Sequence, residues 1–492
     1  MRSIFQSEYS KYFIWSLLLT IIAAWFSLGY NQADEHFQIL EFANFKLGNS
    51  PAADLPWEYI DKIRPGLQPF ITYCFIYAVN HLGLFNPFVI AFLFRLIIGV
   101  LAWVIVCKFV MLLIPSFTTE KGKKMFLLLS LFLWFLPYTN VRFSSENTAT
   151  ICFLWVMYLL LKPRDEQKQQ TGMYLIVGFL LGLSFFFRFQ MAFAIIGLVI
   201  WLLFVKKIKW QNWAAIIFSG LCASAICIYL DKWLYGEWVL TPYNYYYFNI
   251  VKHVAEHFGT FPWYDYFIDF FLLGLPLISL PLMIALCVGI AKKPKHLFTF
   301  VFIPFFLGHC AVSHKEMRFL SPMWFIFIYL AAVGIEYWIV TYKSKKLYTV
   351  GFKVLVWVNI LMLLYRTLTP AQEAIPCFKY AYYNFKDKNV NILCVGEPLF
   401  GLYGLKTNFY KPAGIKETVF VNEDSLSYYI QTHNEDSAIV FQENPTLSPK
   451  LSNAYRNKRI YTPYPDWLLN CDFNGWVERS NIFSIYILYK KH

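Results

Sequence analysis

Apolar runs long enough to cross a bilayer recur along this chain, with short clusters of Lys and Arg between many of them. A helix needs about 20 mostly apolar residues to cross roughly 30 Å of hydrocarbon. That pattern points to an all-α polytopic membrane domain. Composition agrees: of 492 residues, 58% are hydrophobic, 21% aromatic and only 15% charged, too apolar for an ordinary soluble protein. The net charge of +13 does not imply nucleic acid. Most basic residues lie between apolar spans, where membrane topology accounts for them.

The basic clusters orient the chain. They are Arg2 and Lys11, Lys121/Lys123/Lys124, Lys162/Arg164/Lys168, Lys206/Lys207/Lys209, Lys292/Lys293/Lys295 and Lys343/Lys345/Lys346. With all of them on the cytoplasmic side, eleven spans are expected: 13–30, 88–114, 125–141, 146–161, 173–187, 190–205, 213–234, 267–290, 297–313, 319–342 and 347–366. Parity then requires Pro69–Leu84, which carries Asn80 and His81, to lie in the interface without crossing. The first span, Phe13–Leu28, reads as an uncleaved anchor, since no small-residue cleavage site follows it.

Residues 1–367 are therefore expected to form the transmembrane domain, with 31–87 as a first outer loop carrying interfacial helices. From about Leu368 the hydropathy falls. Val390–Val395, Thr418–Val421, Ala438–Phe441 and Ile482–Tyr489 read as strands and Gln372–Phe385 as a helix, giving an extracytoplasmic α/β domain over 368–492. Seven of the ten cysteines lie in apolar runs; one disulfide among Cys377, Cys394 and Cys471 stays open.

This topology puts the chemistry on one face. Asp34, Glu35 and His36 follow the first span, and His314, Lys315, Glu316, Met317, Arg318 and Phe319 stand between two later ones. Ionisable side chains at a bilayer edge are expensive and usually functional. Either Asp34 or Glu35 suits a base that takes a proton from an acceptor hydroxyl. His36, Gln38 and Glu41 are expected to line the same pocket. Arg64, His314, Lys315 and Arg318 suit a phosphate clamp, with Glu316 ordering its basic neighbours. Arg188 sits in an apolar stretch and needs a partner; Glu146 is the candidate. The aromatic stretch holding Tyr243 and Asn244 reads equally as a membrane-interface belt or as a stacking surface for sugar. No Gly-rich nucleotide cradle and no Asp-x-Asp pair is present, so a lipid-phosphate donor fits better than a nucleotide sugar.

These residues occur in a familiar order. Asp34-Glu35-His36-Phe37-Gln38-Ile39-Leu40-Glu41, Trp57-Glu58-Tyr59, Ile63-Arg64, Tyr235-Gly236 with Asn249, Gly259-Thr260-Phe261-Pro262-Trp263 and His314-Lys315-Glu316-Met317-Arg318-Phe319-Leu320-x-Pro322 follow one another. Together they resemble the GPI-anchor and lipid-linked-oligosaccharide mannosyltransferases, and the first motif is most similar to the GPI branch. The resemblance implies a GT-C fold. It implies inverting transfer of mannose from a polyprenyl-phosphate donor to a hydroxyl of a glycan or glycolipid, with no cofactor and no tightly bound metal. Asp34 would be the catalytic base and Glu146 the acid of the second outer loop. Glu35 belongs to the same catalytic acid set, and His314, Lys315 and Arg318 would lie near the donor phosphate. Trp57, Glu58 and Arg188 would line the substrate site. The sequence departs from the family pattern at Asn44, Pro65, Phe189-Gln190 and Val395, which leaves the acceptor and the sugar open.

Two other readings stay open. One is another lipid-linked sugar or a protein acceptor on the same fold. The other is a lipid or polysaccharide transporter, which would place charges near the midplane and show paired halves. No Asn-x-Ser/Thr with a permitted middle residue occurs, which tilts the expected location toward a bacterial inner membrane rather than the endoplasmic reticulum.

Overall fold

Proline and backbone geometry decide where the apolar runs break. The computed structural model describes residues 2–163, 171–342, 346–433 and 436–491; Arg164, Lys168, Lys343 and Lys345 of the basic clusters lie outside them. Among the described residues, four helical stretches are long and apolar enough to cross a membrane: Pro87–Ser116, Phe189–Lys206, Trp210–Tyr235 and Met317–Thr341. Ser10–Phe26, Ser145–Leu161, Thr171–Phe187, Pro276–Lys292 and Leu297–Ala311 are apolar but shorter. The run expected over 125–141 divides into Glu120–Phe132 and Leu136–Asn140, with Pro137 in the first turn of the second piece. The run over 267–290 divides at Leu275, whose φ of 64° precedes Pro276. Proline has no N–H for the preceding turn, so a helix starts at it more readily than it passes through it. The piece Pro69–Leu84, expected not to cross, falls mostly on the helix Leu67–His81.

The described residues form two units. The first comprises Met1–Ser27, Glu58–Ile71 and Phe92–Thr369 and is helical. Its helices meet through small residues. A Cβ on Gly289 would overlap the Leu330 carbonyl oxygen, and one on Gly334 would overlap that of Ala285. Two helices in apolar surroundings gain dispersion by close approach, which only small residues permit. Phe109, Phe298 and Phe325 interlock in its core, with ring centroids 5.1–6.2 Å apart.

The second unit comprises Leu28–Trp57, Thr72–Ala91 and Pro370–His492. Hydropathy alone set the expected boundary near 367; by contacts, part of the first loop groups with the C-terminal region. The N–H groups of Ala371 and Gln372 donate to the Leu28 carbonyl at 2.8 and 3.2 Å. Lys406 pairs with Asp54 at 2.9 Å, and Asn408 donates to Asp54 at 2.9 Å. The strands are β1 (Val390–Val395), β2 (Gly401–Leu402), β3 (Leu405–Lys406), β4 (Ile415–Phe420), β5 (Ser437–Gln442), β6 (Tyr455–Tyr461) and β7 (Ser484–Lys490). The main sheet has the order β4-β1-β5-β7-β6. β1 runs parallel to β4 and β5, while β7 is antiparallel to both its neighbours. Leu393, Val440 and Leu488 of the sheet pack against Leu426 and Ile430 of the helix Glu423–His433. All ten cysteines are free thiols, so the disulfide left open among Cys377, Cys394 and Cys471 does not form.

Candidate active site

In the first unit a chain of charges is built from three places in the sequence. Glu146 stands in the first turn of Ser145–Leu161, whose N-terminus is capped by the Ser144 hydroxyl accepting from the Asn147 N–H. Arg188 takes an extended conformation directly after the helix Thr171–Phe187 and is buried. Its Nη2 lies 3.3 Å from Glu146 Oε1, its Nε donates to Gln190 Oε1 at 2.9 Å, and its Nη1 donates to Ser145 Oγ at 3.4 Å. The third contributor is the segment 314–318. Arg318 pairs with Glu316: its Nη2 donates to Oε1 at 2.9 Å, and its Nε lies 2.7 Å from Oε2 and 4.0 Å from Glu146. Phe319 forms an apolar floor, with the Arg188 and Arg318 guanidinium carbons 5.0 and 5.3 Å from its ring centre. Guanidinium stacks well on aromatic faces because it is planar and weakly hydrated.

His314 and Lys315 complete the segment. Both ring nitrogens of His314 face acceptors: Nδ1 the Gly259 carbonyl at 3.1 Å, and Nε2 Glu316 Oε1 at 3.1 Å. Only the imidazolium can donate to both. The Glu316 hydrogen bond accordingly raises the His314 pKa above the usual histidine value. Gly259, at φ 108°, and Phe261, whose N–H donates to the Ser313 carbonyl at 2.9 Å, pin this segment to the loop before it. Lys315 is buried, donates to the Val312 carbonyl, and has its pKa lowered by burial.

Arg64 sits in the same unit. Its Nη2 is 3.6 Å from Glu58 Oε1 and its guanidinium faces the Tyr245 ring at 5.9 Å. Tyr245 in turn meets Phe189, beside Arg188, with centroids 5.3 Å apart. Asn244 donates to the Lys62 carbonyl at 3.2 Å. Tyr243 is exposed and stacks on Tyr247.

In the second unit, Asp34 and Glu35 lie in a single turn, Ala33–Glu35, that continues into a wider turn over His36–Leu40 and the helix Glu41–Lys46. Asp34 is half-buried and Glu35 buried. His36, expected to line a pocket, is fully buried between the Tyr30 and Tyr410 rings, at 5.1 and 5.3 Å. Its Nε2 meets Glu41 Oε1 at 2.9 Å, and the same oxygen accepts the Phe409 N–H at 2.9 Å. His36 and Glu41 therefore hold the acidic turn against the segment around Phe409. Gln38 is buried, and Trp57 is half-buried at the end of its segment.

Three further residues take part that the sequence does not mark as functional. Gln190 and Ser145 complete the Arg188 shell. Asp231, a fully buried carboxylate, accepts from the Gly66 N–H at 2.7 Å and from Thr241 Oγ1 at 2.6 Å. A carboxylate inside an apolar run was the available signal.

The model of the Alg9-like mannosyltransferase family matches residues 12–400. The chain belongs to that family. Among curated relatives of this family member, GPI mannosyltransferase 3 of Candida albicans is 30% identical over 308 residues, 62% of this chain and 59% of that protein. GPI alpha-1,2-mannosyltransferase 3 of Bos taurus is 24% identical over 59% of this chain and 52% of its own length. The Homo sapiens protein of the same name is 25% identical over 59% and 51%. The chain thus spans little more than half the length of these relatives. Among solved structures, ArnT from Cupriavidus metallidurans bound to undecaprenyl phosphate superimposes with a TM-score of 0.55 at 12% identity, covering 96% of this chain and 97% of that one. The fold is therefore GT-C, and the chain is a multi-pass membrane protein. These curated relatives come from fungi and animals and carry GPI names, and a further one, Mannosyltransferase APTG1, comes from the plant Arabidopsis thaliana, so they give the tilt toward a bacterial inner membrane no support and turn it toward the endoplasmic reticulum.

Proposed function

We propose that this family member transfers mannose, with inversion, from a polyprenyl-phosphate donor to a hydroxyl of a glycan or glycolipid. The observation that carries the reading is the chain of alternating charge Arg188–Glu146–Arg318–Glu316–His314 in a member of a mannosyltransferase family. Glu146 and Glu316 hold the cations in place before any ligand arrives. Fixed positive groups then stabilise the charge that develops on a leaving phosphate, at no reorganisation cost during the reaction. That the ArnT structure holds undecaprenyl phosphate supports this class of donor.

In this reading Arg64, His314, Lys315 and Arg318 bind the donor phosphate. Asp34 takes the proton of the acceptor hydroxyl while its oxygen bonds to the anomeric carbon, and polyprenyl phosphate leaves with the electron pair of the broken C–O bond. Glu35 supports the acidic turn. The fold would make eleven crossings, with Leu67–His81 in the interface and the sheet domain on the extracytoplasmic side.

The test is incubation of the purified protein with labelled polyprenyl-phosphate mannose and candidate acceptors. Mannosylated product from that donor supports the reading. Transfer from a nucleotide-linked mannose alone would end it.

A further inference from the structure

Three side chains bond to the short backbone stretch that carries Arg64, and a fourth holds one of them in place. The Tyr235 hydroxyl donates to the Arg64 carbonyl at 2.7 Å. Asp231 accepts the Gly66 N–H at 2.7 Å, and the Thr241 hydroxyl holds the other oxygen of that carboxylate at 2.6 Å. Asn244 donates to the Lys62 carbonyl at 3.2 Å. Lys62 itself has φ 53°, a left-handed conformation that a lysine rarely holds unless its surroundings enforce it. The fit against the helix Trp210–Tyr235 is close: a Cβ on Gly66 would overlap the Leu230 carbonyl oxygen. At the far end of the side chain, Glu58 and the Tyr245 ring flank the guanidinium.

Tyr235 and Asp231 do more here than end a helix. Gly236, at φ 78°, already supplies the C-terminal turn through its N–H to the Lys232 carbonyl at 2.8 Å. The buried carboxylate and the phenol are turned instead toward residues 64–66. A flexible arginine loses side-chain entropy when it binds an anion, and a fixed backbone origin reduces what remains to be lost. We propose that Tyr235 and Asp231 are positioning residues that set the origin and reach of Arg64 toward the donor phosphate. The proposal rests on Arg64 being a phosphate ligand, as read above.

The experiment uses the full chain in nanodiscs, with donor KM, kcat and thermal unfolding measured for Tyr235→Phe, Arg64→Ala and the double variant. Tyr235→Phe removes one hydrogen bond and keeps the ring, so donor KM is expected to rise about three- to tenfold. Its unfolding temperature and kcat should stay near wild type. Added to Arg64→Ala, the same change should raise KM no further. Thr241→Val, which acts through Asp231, should show the same non-additivity of donor KM with Arg64→Ala. The proposal is overturned if Tyr235→Phe raises KM equally in both backgrounds, or leaves it unchanged where Arg64→Ala raises it. An unchanged donor KM in Arg64→Ala is a separate result: it removes the phosphate role of Arg64, and this proposal with it.

Discussion

Arg188 and Glu146 pair at 3.3 Å in a setting where their side chains are only 7% and 4% exposed. Neither charge can turn to water if its partner is lost. Removing one member of a buried pair typically destabilises by roughly 3–5 kcal/mol. Glu146→Ala should therefore lower the unfolding temperature as well as abolish transfer. Combining it with Arg188→Met should restore stability but not activity. Additive losses in thermal unfolding of the double variant would show that the two residues are not coupled.

Asp34→Asn should lower kcat by at least about 10²-fold while donor binding survives, since the amide cannot take the acceptor proton. Glu35→Gln should do less. Steady-state rates with equilibrium binding of polyprenyl phosphate separate the two effects, and full turnover by Asp34→Asn would remove it from the mechanism.

Arg318→Lys should weaken donor binding by nearly as much as Arg318→Ala. Lysine has a single charged centre and cannot both hydrogen-bond Glu316 as Nη2 does and lay a planar cation over Phe319. Donor titration decides it; a lysine variant with wild-type affinity would show that charge alone suffices.

The His314–Glu316 bond gives donor affinity a pH dependence of known sign. Glu316 raises the His314 pKa, so the protonated form and its ion pair are fully present below the ordinary histidine pKa. They are lost as pH rises through the raised value. Donor KM should therefore increase with pH across that window, and Glu316→Gln should move the increase to lower pH. A pH profile of KM that does not shift in Glu316→Gln would separate His314 from the phosphate.

Glu41→Ala should loosen the second unit, because it removes the acceptor of both the His36 ring and the Phe409 N–H. A buried donor left without its acceptor costs roughly 1–3 kcal/mol. Hydrogen exchange at Phe409 and His36 should accelerate well above that at Val440 in the sheet core.

Much of the site was readable because its residues cluster in the sequence. His314 to Phe319 announced themselves as ionisable groups between apolar runs, and the lone Arg188 called for an acid that Glu146 supplies. The strand Val390–Val395 follows from its apolar run. β6, Tyr455–Tyr461, did not, because Arg456, Asn457, Lys458 and Arg459 make it polar and only pairing with β7 holds it extended.

Local chemistry in the sequence determined the membrane character of the chain and singled out Arg188 and Glu146 as charges in need of each other. It did so because burying a charge or spanning hydrocarbon constrains composition residue by residue. Tertiary structure alone decided that His36 and Glu41 clasp the Phe409 segment, that Asp231 and Tyr235 serve the backbone of Arg64, and that residues 28–57 group with the C-terminal sheet. Each of these joins groups far apart in the chain. No periodicity or propensity records which distant donor will meet which buried acceptor.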